Sequence, residues 1–421
     1  MAPLKAPEPS ITTLRGRPVD FLIIGILFLL LFLGLADNQT IPALLPLLID
    51  SLHITVEQAG LLAVFYSVAA ALASLVTGIV SDHYGRKRFL VAGAVVFGCA
   101  SWMSAHAVSF TSLTASRGLT GLGAGAISTC SIAFAGDWFH YSIRGRALSW
   151  ISTAYFAAPI LGVPLAAQVA DRLGWRNTFY FFAVLSVAVA LLSLRLPRER
   201  REAANTSEKW MTTFRACRSF FRRRDTSAGL AIAFLVSGGL YGFLYYIGQW
   251  MNSSFGVPTR TIGWVFMLGG LVALVSAPLA GILSDRWGKR PVSIAGNVLL
   301  ALSVALVPFF PWGAGLLIVF ALTSLGAASR QGPLAALMTE LVPTAERGSF
   351  IALRNVFSQM GIGLVVLAGG AIYEHHGYLA VTTLCAVMTG LVALLLATHI
   401  VEPRQASPDP RHDGVKQPDE C

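Results

Sequence analysis

Twelve stretches of this chain stay apolar for about the 20 residues that a helix needs to cross a bilayer. They run near 20–48, 57–80, 89–110, 112–136, 147–170, 177–196, 228–251, 261–283, 291–311, 314–338, 348–372 and 378–401. A chain with that pattern has few alternatives to an all-α membrane protein. Charged residues make up 12% of the sequence, against roughly 25% in ordinary soluble domains. A soluble enzyme, a disordered chain and a disulfide scaffold are set aside on these grounds. The five cysteines (Cys99, Cys130, Cys217, Cys385, Cys421) are scattered without a CxxC pair, so neither a disulfide framework nor a zinc site is expected. The basic start at Lys5, Arg15 and Arg17 is followed by an apolar block, Phe21 to Ile49. That block is about twice the length of a signal-peptide core and reads as a retained first helix.

The loops are short except for one polar, basic stretch from Pro197 to Ser227. It divides the chain into a tail (1–19), a first six-helix bundle (20–196), a linker (197–227), a second bundle (228–401) and a C-terminal tail (402–421). With both tails and the linker on one side, that side carries 25 of the 31 Lys and Arg residues. The opposite side carries Arg172, Arg176 and Arg260. Positive loops stay cytoplasmic, so both termini are expected in the cytoplasm. Topology thus accounts for most of the net charge of +10, and no nucleic-acid partner is needed.

The halves repeat at a fixed offset of 203 residues. It relates Gly78 to Gly281, Ser81 to Ser284, Asp82 to Asp285, Gly85 to Gly288, Arg144 to Arg347 and Gly174 to Gly377. Arg86 with Lys289, Asp137 with Glu340 and Asp171 with Glu374 are near matches. One offset over about 100 residues predicts two bundles in parallel orientation, related by an axis along the membrane normal.

The loop after the second helix reads GIVSDHYGRKR from Gly78, and the loop after the eighth reads GILSDRWGKR from Gly281. These loops resemble the signature of the major facilitator superfamily: Gly, three residues, Asp, two residues, Gly, then basic residues. The resemblance covers nearly the whole chain and implies the major facilitator fold. The glycines are suited to close helix packing and a tight turn, and Asp82 to the N-terminal end of helix eleven. The resemblance also implies a cytoplasmic gate of Asp82, Arg86 and Asp137, twinned by Asp285, Lys289 and Glu340 and joined by Arg144 and Arg347. Helix four, RGLTGLGAG from Arg117, resembles the family's helix-four motif with Thr120 in place of Gln. Helix five, AAPILGVP from Ala157, resembles a degenerate antiporter motif.

An ionisable side chain inside a bilayer is a functional-site hypothesis by default. Asp37 is the one acid well inside a predicted helix, and it is the candidate proton carrier. Its segment, ADNQTIPALLP, resembles helix one of proton-coupled family members. Pro42 and Pro46 are expected to loosen the helix beyond it. Arg117 lies at comparable depth and is its candidate partner. Arg330, Arg354, Asn38, Gln39, Tyr241, Tyr245, Gln249 and Gln359 are candidate substrate-cavity residues. Arg354 could also snorkel to the cytoplasm. The run Glu374, His375, His376 reads as a solvated face rather than a metal site.

The leading expectation is a monomeric secondary transporter in a bacterial inner membrane. It has no cofactor and no enzymatic activity. It exports a small organic solute, and the proton gradient drives it through Asp37. Two alternatives stay open. One is a proton-linked carrier of organic carboxylates using Arg117 and Arg330. The other is a receptor that binds without translocating. No Walker A, HExxH or GxSxG motif occurs.

Overall fold

The computed structural model describes residues 18–197, 219–343 and 346–400. Both tails and most of the linker, 198–218, lie outside the described residues. The first half contains α1 (Pro18–Leu52), α2 (Val56–Tyr84), α3 (Arg86–Ala105) and α4 (Phe110–Trp138). Its fifth span, α5, is built of Tyr141–Ser152, Ala154–Ala157, a π turn at Ala158–Gly162, and Val163–Leu173. The sixth, α6, is Trp175–Ser193. The second half contains α7 (Arg224–Phe255), α8 (Thr259–Trp287), α9 (Lys289–Leu306) and α10 (Ala314–Glu340). A last helical stretch, Arg347–His399, is broken at Gly377, where φ is 76° and ψ 179°. It therefore comprises two spans, α11 (347–376) and α12 (378–399). The twelve spans expected from hydropathy are present, and α7 starts four residues earlier than expected.

The repeat offset reappears in the geometry. Four helix corners turn on glycines with positive φ: Gly85 (88°), Gly174 (88°), Gly288 (96°) and Gly377 (76°). Nothing lies within 4 Å of a β-carbon built on any of them, so backbone conformation alone selects glycine here. A second pair holds each bundle's edge together. Lys87 Nζ donates to the Leu194 and Leu196 carbonyls at the end of α6, at 2.6 and 2.5 Å. Arg290, 203 residues on, donates to the Leu396 and Ala397 carbonyls at the end of α12. A basic side chain suits the carbonyl end of a helix, where unpaired acceptors and the dipole both favour it.

Two expectations about local structure are corrected. Helix α1 runs unbroken through Pro42 and Pro46. The break lies instead in α5, where Pro159 sits in the π turn. Gly85 and Gly288 make the expected tight turns, but Gly78 and Gly281 are not close-packing sites. A β-carbon at Gly78 would meet only Thr129 Cγ2, at 3.5 Å, and one at Gly281 meets nothing within 4 Å.

Candidate functional site

The two halves meet most closely at the end of the molecule away from the α2–α3 and α8–α9 corners. A β-carbon at Gly60 of α2 would lie 3.2 Å from the Val366 carbonyl and 3.3 Å from Leu367 Cα on α11. Its counterpart Gly263 on α8 would meet Ala167 Cβ at 2.7 Å and Pro164 Cα at 3.2 Å on α5. Hydroxyls reinforce the seal. Tyr245 donates to the Ala59 carbonyl across the halves at 3.0 Å, and Tyr246 donates to the Val366 carbonyl at 2.6 Å. Glu374 is not merely a solvated loop acid: its Oε2 accepts the Glu57 N–H at 3.1 Å, in the first turn of α2. His375 and His376 beside it are exposed, as expected.

Beneath this seal lies a cavity of about 400 Å³ between the halves. That volume suits one small molecule. Asn38, Gln39 and Pro42 of α1 and Tyr155, Phe156 and Pro159 of α5 line one wall. Tyr241 and Tyr245 of α7 and Phe266 and Phe320 line the other. The lining continues along α10 as far as Met338, two residues short of that helix's end, and includes Arg354 and Ser358 in the early part of α11. The cavity therefore reaches toward the face that carries the α2–α3 and α8–α9 corners. Its lining has two arginines, Arg330 and Arg354, and no Asp, Glu or His among the described residues.

Asn38, Gln39, Tyr241, Tyr245, Arg330 and Arg354 thus stand in the cavity, as the sequence predicted. Gln249 and Gln359 do not. Gln249 is one turn beyond Tyr245, inside the sealed end, and its Oε1 is buried without a partner. Gln359 follows Ser358, so it points about 100° around α11 from the cavity line of Arg354, Ser358 and Ile362. Tyr155, Gln331, Ser237 and Ser358 are cavity residues that sequence reasoning missed.

Asp37 and Arg117 are adjacent but lie outside the cavity. Arg117 Nη1 donates to Asp37 Oδ2 at 2.8 Å, and Nη2 reaches Oδ1 at 3.4 Å. Both residues are at most 1% exposed. Nη2 also donates to Thr120 Oγ1 at 2.8 Å, so the threonine at that motif position serves as an acceptor for the arginine. The guanidinium stands 4.9 Å from the centre of the Phe179 ring. Arg117 is thereby sealed inside the first bundle, which removes it as a direct contact for a substrate anion. Arg330 is tied within the second bundle: Nη1 donates to Asn297 Oδ1 at 2.7 Å and Nη2 to the Val236 carbonyl at 3.0 Å. Arg354 lines the cavity and has no hydrogen bond or ion pair among the described residues.

The charge clusters near the repeat corners are partly formed. Arg86 Nη2 pairs with Asp82 Oδ1 at 2.7 Å and Nε with Asp137 Oδ2 at 2.5 Å. Nη1 also donates to Ser81 Oγ at 3.2 Å. In the twin, Lys289 pairs with Glu340. Asp285 is exposed and stands outside it, contrary to expectation. Arg144 also stays out, donating through Nε to the Phe139 carbonyl at 3.4 Å, and Arg347 is exposed. Each pair described lies within one half.

The model of the Major Facilitator Superfamily matches residues 27–258 and 229–418. The chain is 23% identical to the uncharacterised MFS-type transporter YbcL of Bacillus subtilis, over 92% of this chain and 98% of that protein. It is 26% identical to a chloramphenicol efflux pump of Mycobacterium tuberculosis, over 85% of this chain and 87% of the pump. Among solved structures, the inward-open xylose transporter XylE from E. coli superposes with a TM-score of 0.73 at 17% identity. The match covers 92% of this chain and 97% of that one.

Proposed function

The chain belongs to the major facilitator superfamily, and on that premise we propose that it is a proton-driven secondary transporter that exports a small organic solute by alternating access. One observation carries the reading. Helix α1 presents Asp37 to Arg117 on one side and the next two residues, Asn38 and Gln39, to the cavity. A proton arriving at Asp37 cancels the charge that holds Arg117 and loosens the tie between α1 and α4. The cavity wall formed by Asn38 and Gln39 then responds to the protonation state of a group that solute never touches. Such a group shifts an equilibrium between two access states when it binds its proton more tightly in one of them. The seal at Gly60 and Gly263 and the cavity beneath it support reading this arrangement as one of those states, open on the face of the repeat corners. By the positive-inside rule that face is cytoplasmic, in a bacterial inner membrane. The apolar, aromatic lining and the chloramphenicol-exporting relative favour export.

Flux into proteoliposomes tests the coupling, with chloramphenicol, which a relative exports, and 4-hydroxybenzoate as the first probes. An imposed pH gradient should drive accumulation by the wild type. Asp37→Asn should lose uphill accumulation while keeping downhill counterflow. Full gradient-driven accumulation by the variant would remove Asp37 from the coupling. Solute binding without any counterflow in the wild type would point to a receptor.

A further inference from the structure

The charge of the solute is written in the cavity, and this inference rests on the reading of that cavity as the transport site. Its two cations have different situations. Arg330 spends its terminal nitrogens on Asn297 and the Val236 carbonyl, neutral acceptors that fix it but leave its charge uncompensated. Asn297 is itself held, since its Nδ2 donates to the Ser293 carbonyl at 2.7 Å and so leaves Oδ1 to accept from the guanidinium. Arg354 has no partner among the described residues, yet it is half-buried and lines the same cavity. The carboxylate of Asp37, the acid in the core of α1, is committed to Arg117. Burying a cation without a counter-charge is costly, and the cost is relieved by an anion that brings its own acceptors.

We propose that the transported solute is an organic anion, a carboxylate on an apolar or aromatic body, and that Arg354 is its anchor. A guanidinium presents paired N–H donors that match the two oxygens of a carboxylate. Tyr155 stands across from it, within electrostatic reach of Arg354. Its hydroxyl provides a further donor, and it belongs to α5 of the first half whereas Arg354 belongs to α11 of the second. An anion held by both residues bridges the two halves on the open side, where the seal is missing. The tyrosines and phenylalanines around it, Tyr241, Phe266 and Phe320 among them, take the apolar body. Binding thereby favours the closed arrangement of that face, as a ligand must if it is to drive reorientation.

The test reads the sign of the potential without knowing the solute. Ser358 sits one turn from Arg354 on the same cavity wall. In the full chain with Ser358→Cys, labelling by the anionic thiosulfonate MTSES and the cationic MTSET is followed at that site by mass spectrometry. Each rate is normalised to that of free cysteine. A cleft lined by one sign of charge concentrates the opposite sign, so the MTSES rate should exceed the MTSET rate by about tenfold or more. Adding Arg354→Gln should reduce the ratio severalfold. Equal rates, a preference for MTSET, or a ratio indifferent to Arg354→Gln would overturn the proposal. 4-Hydroxybenzoate should slow the labelling more than its amide does, and equal protection by the two would also count against it. Tyr155→Phe should lower counterflow of 4-hydroxybenzoate more than it lowers the protection that the acid gives in the Ser358→Cys background. Protection by the acid with no counterflow in the wild type would leave Arg354 standing as an anion anchor and remove the transporter reading.

Discussion

Arg86 reaches Asp82 with one nitrogen and Asp137 with another, whereas in the twin Lys289 pairs with Glu340 and Asp285 stands exposed outside that pair. The difference follows from the side chains. A planar guanidinium offers several donors in a fixed fork, and an ammonium is a compact point charge on a flexible stem. Duplicated sequence therefore yields unequal clusters. Asp82→Asn is expected to slow solute exchange severalfold with little change in solute affinity, while Asp285→Asn should leave both near wild type. Stopped-flow exchange and equilibrium binding on the two variants check this. An unchanged rate in Asp82→Asn would take the first cluster out of the gate. The identity and duplication of these charges were legible in the sequence. Their pairing was not, because it depends on which nitrogen can reach which oxygen. For the same reason Gln249 and Gln359 were misplaced. A polar residue in an apolar run signals an interior position, but not whether that interior is cavity or seal.

At the scale of the helix, the contacts that shut one face are made by glycines with no motif around them. Gly60 and Gly263 nevertheless obey the 203-residue offset, as do the residues they touch, Val366 with Val163 and Leu367 with Pro164. The offset was therefore the signal that could have found them. Gly263→Ala would set a methyl 2.7 Å from Ala167 Cβ and 3.2 Å from Pro164 Cα. Neighbours in a packed interface must then shift, at a typical cost of about 1–3 kcal/mol to the closed arrangement. The variant should populate the alternative access state more, by roughly tenfold for each 1.4 kcal/mol. Spin-label distances across α5 and α8 on the sealed face would report the widening, and an unchanged distribution would show that the seal lies elsewhere. The corners at Gly85 and Gly288 were readable in advance, because a loop motif ending in glycine has a backbone reason. The π turn in α5 was not, because prolines occur in both α1 and α5 and only tertiary packing decides which helix deforms.

For the molecule as a whole, hydropathy and the repeat were enough to predict twelve spans in two bundles, and the described residues bear this out. Which face is shut could not be read, since on the proposed alternating-access mechanism one sequence supports both states. Among the described residues the cavity holds two arginines and no acid, and this has an electrical consequence. When access passes from one side to the other, the membrane field is relocated across those fixed charges. Each elementary charge that crosses the full potential is worth roughly 2.3 kcal/mol per 100 mV. Reorientation of the empty protein should therefore be electrogenic and speed up or slow down with voltage. An anion seated at Arg354 cancels one of the charges and should weaken that dependence. Charge movements recorded on a solid-supported membrane, with and without 4-hydroxybenzoate, would show the solute acting as its own counter-ion in transit.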